Sequence, residues 1–166
     1  MIIRRFALSV LFALTTLGTA ACGNSPTSPA EGRAAATAPK TADDVTQQLG
    51  RKITGLKLVK AYTAADDPNH MLGRPNGYTS KTAFADSRVP ADQVEGLASD
   101  AVERGGSVEV YPDEAGAKAR MDYIQTIGKS LPMASEYDYL AGPVLVRVSR
   151  ILTPDQAKEY EAALHA

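Results

Sequence analysis

The stretch from Gly23 to Lys40 constrains this chain most. Its eighteen residues contain three prolines and no Leu, Ile, Val or aromatic side chain. Such a segment has no apolar surface to offset the entropy of ordering, so it reads as a partly extended spacer outside any core. It divides the 166 residues into a short N-terminal piece and a continuous remainder, Thr41 to Ala166, long enough for one domain with a real core. No internal repeat runs through the sequence.

The N-terminal piece begins with Arg4-Arg5 and continues through Phe6 to Ala21 without a charge, the pattern of a secretory signal. A stable membrane span needs roughly 20 apolar residues, and Thr15, Thr16, Gly18 and Thr19 weaken the far end of this one. Around the single cysteine, Leu17-Gly-Thr-Ala-Ala-Cys22-Gly23 resembles the lipobox of bacterial lipoproteins, with Thr19 where that family usually has Leu, Val or Ile. The resemblance implies cleavage before Cys22 and a diacylglyceryl group on its thiol. Residues 1–21 would then be a lipoprotein signal peptide, 22–40 a lipidated cysteine with its linker, and 41–166 the globular domain. The implied location is the cell membrane, lipid-anchored and facing outside the cytoplasm. Each buried methylene contributes about 0.8 kcal/mol, so one acyl chain holds reversibly while two or more hold firmly. An ordinary secretory signal is the alternative. Arg4-Arg5 also raises twin-arginine export, a minor alternative to the general route because no clear polar residue precedes the pair.

Charge and cysteine count exclude several classes. Loss of residues 1–21 removes Arg4, Arg5 and no acid, leaving 16 basic against 19 acidic residues, a net charge of −3. That balance argues against nucleic acid as a partner. One cysteine allows neither an internal disulfide nor a cysteine-based zinc cluster.

Periodicity predicts the order α-β-β-β-α-β-β-α. Thr41 and Asp44 cap a helix carrying Val45, Leu49 and Ile53 on one stripe. Strands follow over 56–63 and 78–86, with a short helix near Ala91–Glu95. Gly105-Gly106 reads as a turn before a strand at 107–111. A helix then starts at Pro112-Asp113, with Ala117, Met121, Ile124 and Ile127 apolar and a stop at Gly128 and Pro132. The segments 136–140 and 144–149 flank Ala-Gly-Pro as a hairpin. Thr153, Pro154 and Gln156 open the last helix with a capping box. Short links between strands favour an antiparallel sheet of about five strands, covered by about three helices in a two-layer α+β sandwich.

The candidate binding residues cluster between the first two strands: Asp66, Asp67, Asn69, His70, Arg74, Asn76 and Tyr78. A connection there runs to more than a dozen residues, where hairpins use two to five, and long loops of this kind often carry function. Asp-Pro and Pro-Asn-Gly turns fold it back on itself. Arg74 offers a planar fork for a carboxylate or phosphate, or else simply pairs with Asp66 or Asp67 to fix the loop. His70, oriented by Asp66 or Asp67, would serve acid–base work in an envelope enzyme.

Other chemistry is poorly represented. The loop lacks the alternating spacing of a calcium site, and no paired-histidine helix or nucleophile elbow occurs. No metal and no cofactor is expected. Glu136 and Asp138 share a strand face, expected to be wet, with Tyr137 and Tyr139 inward. The segments 67–81, 105–111 and 152–160 resemble an uncharacterised family of small lipoproteins of Gram-positive bacteria, actinobacteria included. That resemblance implies a surface lipoprotein and no catalytic residue. The leading expectation is a non-enzymatic binding module for an envelope protein or small ligand. An envelope enzyme and a purely structural or exclusion role are the alternatives.

Overall fold

The computed structural model describes residues 40–166. Cys22 and the leader and spacer readings lie outside the described residues. The domain is α+β, and its elements come in the expected order. They are α1 (Ala42–Lys52), β1 (Leu56–Ala61), β2 (Ser80–Asp86), β3 (Gly105–Val110), α2 (Glu114–Ser130), β4 (Glu136–Ala141), β5 (Val144–Ser149) and α3 (Pro154–Leu164). Short 3-10 turns lie at Ala91–Val94, Val102–Arg104 and Pro132–Ala134. The five strands form one sheet in the order β1-β2-β3-β5-β4, with every neighbouring pair antiparallel. No described helix is long and apolar enough to cross a membrane.

Local signals account for the helix starts. Thr41 and Asp44 form a reciprocal capping box on α1, and Thr153 and Gln156 form another on α3. Asp113 caps α2 by accepting from the Gly116 amide. That helix passes through Gly128 to Ser130, because glycine lowers helix propensity without ending a helix whose hydrogen bonds continue. A Cβ on Gly128 would lie 3.2 Å from Ser135 Cα, so the missing side chain lets the following turn close against the helix.

The register sets two opposite sheet faces. Thr82, Val108, Val146 and Tyr139 line up across four strands on one face. With Phe84 and Val148 they meet α1 and α3 through Val45, Leu49, Ala157 and Tyr160, the main core. Tyr137 and Tyr139 pack against this core, as their alternation predicts. A Phe84–Tyr160 stack at 5.4 Å ties β2 to α3.

The two-layer arrangement therefore holds for the sheet with α1 and α3. The remaining helix, α2, covers the opposite face, where Ala117 and Ile124 meet Leu145, Tyr78 and Tyr111. Glu136 and Asp138 lie under that helix and are half-buried, not on a wet face. Strand alternation fixes which face a residue takes; only the packing of α2 decides that this face is dry. Gly105 and Gly106 also differ from expectation. They start β3, paired with Ala85 and Phe84, and are not a turn.

Candidate functional site

The connection between β1 and β2 is a folded loop built around one carboxylate. Asp67 is fully buried and accepts hydrogen bonds from the amides of Met71 (2.8 Å) and Leu72 (3.1 Å) and from the Tyr78 hydroxyl (2.6 Å). It also pairs with Lys81 Nζ at 3.2 Å. Burial alone would raise its pKa, but the bonds from Tyr78, Met71 and Lys81 outweigh that and hold it well below the usual carboxylate range. Tyr78, fully buried, meets Tyr111 edge-to-face at 5.8 Å. Arg74-Pro75-Asn76-Gly77 closes a tight turn through Gly77 N–H to the Arg74 carbonyl at 2.9 Å, with Asn76 at φ 63°. Gly77 is required there, since a Cβ would run into the Met71 carbonyl.

The predicted loop residues separate into three groups. Asp67 and Tyr78 form the loop's internal anchor. Asn69 and Asn76 border a cleft of about 820 Å³ between the loop and α2, whose far wall carries Arg120 and Tyr123. His70 and Arg74 are exposed, line neither this cleft nor the smaller hollows beside it, and make no side-chain hydrogen bond or ion pair among the described residues. Asp66 accepts from the Thr63 amide at 2.6 Å and lies 3.6 Å from Lys60 Nζ. Neither acid is bonded to the His70 ring, so the geometry assembles no His–Asp acid–base pair. His70 holds a positive φ of 51°, a strained backbone for a residue with a Cβ.

Beneath the loop lies a network of charges that sequence reasoning missed. Glu109, fully buried on β3, pairs with Arg120 Nε of α2 at 3.3 Å and with Arg147 Nη1 of β5 at 3.2 Å. Arg147 also makes a bidentate pair with Glu136, at 2.6 and 3.0 Å. Burial works against its charge, yet Glu136 and Glu109 together hold the guanidinium more firmly protonated than usual. Asn69 joins loop to network: Arg120 and Lys81 are donors only, so its amide oxygen faces both, at 3.2 Å from Arg120 Nη2 and 3.1 Å from Lys81 Nζ.

Two further hollows, of about 350 and 380 Å³, adjoin the large cleft. They share Asn69, Val102 and Arg147, and Asn69 lines all three spaces. The first has Tyr62, Lys81 and Ser107 on its walls, the second Arg120 and Tyr123. Single charges inside otherwise apolar strands, Val108-Glu109-Val110 and Val146-Arg147-Val148, were the available signal. Such a residue normally marks a solvated face, so it reads as buried only once α2 is placed.

Among the described residues, no cluster of three or more His, Cys, Asp or Glu is arranged to hold a metal ion. No protein-family model matches the chain, and no curated protein or solved structure is similar enough to count as a match.

Proposed function

We propose that this chain is a lipid-anchored extracytoplasmic binding protein, tethered through Cys22 and the proline-containing spacer that follows it, and that its domain takes an envelope protein or small ligand in the cleft between the 66–78 loop and α2. The observation that carries this reading is the cleft itself. It is about 820 Å³, the size range of ligand sites, and lies between a folded loop that brings polar side chains to it and a helix that brings a guanidinium and an aromatic ring. Asn69 and Asn76 supply hydrogen bonding, Arg120 a guanidinium, and the exposed Tyr123 an aromatic ring. An anchored Asp67 means the loop wall is preorganised, so little ordering entropy opposes capture.

The test has two arms in intact cells. Cys22→Ser is expected to lose lipid labelling and to leave the membrane fraction, as loss of the anchor requires. With the anchor intact, Asn76→Gly, which keeps the positive φ of that turn, combined with Tyr123→Ala is expected to abolish crosslinked capture of the partner at matched surface level. Both side chains are exposed, so the fold should persist. Unchanged capture by the double variant would reject the cleft as the site.

A further inference from the structure

The α2 side of the sheet holds more hydrogen-bonding capacity than the protein uses. Ser107 is 1% exposed, its hydroxyl has no hydrogen-bond partner, and it lines the inner crevice with Lys81 and Arg147. Leaving a buried hydroxyl unpaired costs its desolvation with no bond in return, so native proteins rarely do it without a bound group to complete it. Arg147, paired with Ser107 across β3 and β5, carries five N–H donors and spends three of them on Glu136 and Glu109. One N–H on each terminal nitrogen is left, and Arg147 lines both inner hollows.

The charge pattern selects the chemistry of what would bind. Lys81, Arg120 and Arg147 are matched by Asp67, Glu109 and Glu136 in direct ion pairs. An ionic ligand would add an unmatched charge among largely desolvated groups, and no counter-charge there is left to offset its desolvation. A neutral ligand incurs no such penalty. It must still offer acceptor oxygens to Arg147 and a partner to Ser107, and near the mouth it meets the carboxylates of Asp66 and Asp100. Hydroxyl groups accept and donate, so one functional group meets all of these demands.

We infer that the hollow beneath Asn69, lined by Lys81, Ser107 and Arg147, is a subsite for a neutral carbohydrate. This rests on the reading of the domain as a binding module, but not on the larger outer cleft. The test uses full-length protein purified in a non-glycosidic detergent and saturation-transfer NMR. The probes are di-N-acetylchitobiose, mannobiose, cellobiose and trehalose. A glucuronic-acid disaccharide, de-acetylated chitobiose and end-blocked trialanine serve as comparators.

At least one neutral disaccharide is expected to bind in preference to all three comparators. Ser107→Ala is expected to weaken that binding about five- to tenfold, the value of one lost hydrogen bond, while leaving the melting temperature equal or higher. A residue with a merely structural hydroxyl would show the reverse: lower melting temperature, unchanged binding. No saturation transfer from any neutral probe, preference for a charged sugar or the peptide, or unchanged affinity in Ser107→Ala overturns the proposal. The last two results would mean a different ligand class, or bound water only. Failure here alongside partner capture that still depends on Tyr123 and Asn76 would leave the binding-module reading standing; loss of both would end both.

Discussion

Asp67 concentrates more of the site's stability than any other loop residue. Its carboxylate satisfies two backbone amides, a tyrosine hydroxyl and a buried ammonium at once. Removing it leaves Lys81, whose side chain is 5% exposed, without its counter-charge, and breaking a buried pair from one side typically costs about 3–5 kcal/mol. Asp67→Ala is therefore expected to lower the urea-unfolding free energy by about that amount. Adding Lys81→Met should recover only part of the loss, because the Met71 and Leu72 amides still lack an acceptor. Full recovery would show the lysine to be the whole of the effect and the loop amides to be solvated. His70 and Arg74 carry no comparable burden. The reading of Arg74 as the loop's ionic clasp is displaced by Lys81, which reaches Asp67 from the adjoining strand.

At the scale of elements, the start of β3 shows how packing reverses a sequence reading. Gly106 lies opposite Phe84 in the β2–β3 register, and an added Cβ would strike the Phe84 ring and the Arg147 carbonyl. The glycine is there for close approach, with the aromatic ring laid over the exposed backbone. Gly106→Ala is expected to destabilise by about 1–3 kcal/mol, the usual cost of overpacking, read as a fall in melting temperature. An unchanged melting temperature would mean that the strand start is looser than its register implies. The helix caps at Thr41 and Thr153, the stripe on α2 and the hairpin at Gly142 were legible because each is decided within a few residues. The start of β3 was not, since Gly-Gly is decided by a ring more than twenty residues away. In the site, Asn69, Asn76 and Tyr78 were legible as members of a long loop. Ser107, Arg120, Tyr123 and Arg147 sit on regular elements and become site residues only through the side of the sheet that α2 takes.

For the whole molecule, burying charge on both sides of the sheet, Asp67 and Asp138 under α2 and Asp86 against α3, should make stability depend on pH in both directions. Asp67 and Asp86 have pKa values lowered in the fold, mainly because their hydrogen bonds and cations outweigh burial. Their stabilisation is complete above the unfolded value of 3.8 and is lost as pH falls below it. Asp138 runs the other way: burial, then the charge of neighbouring Glu136, pushes it up to about 8, and its Oδ1 has no partner. Between about 4 and 8 the folded Glu136–Asp138 pair is therefore expected to hold a proton that the unfolded chain has released. Stability must fall as pH rises through that window, by up to about 1.4 kcal/mol per pH unit for one such group. Asp138→Asn keeps the shape and removes the titration, so its unfolding free energy should be flatter than the wild type's between pH 5 and 8 and exceed it most at pH 8. Urea titrations at pH 5, 6, 7 and 8 on both proteins decide this, and parallel profiles would show that Asp138 is ionised and solvated in the fold. The same comparison bears on the crevice. With Asp138 protonated, the paired charges around Arg147 balance, and that balance is what favours a neutral ligand; once Asp138 ionises, the added negative charge beside Arg147 should weaken the hold on ligand oxygens that accept from its guanidinium.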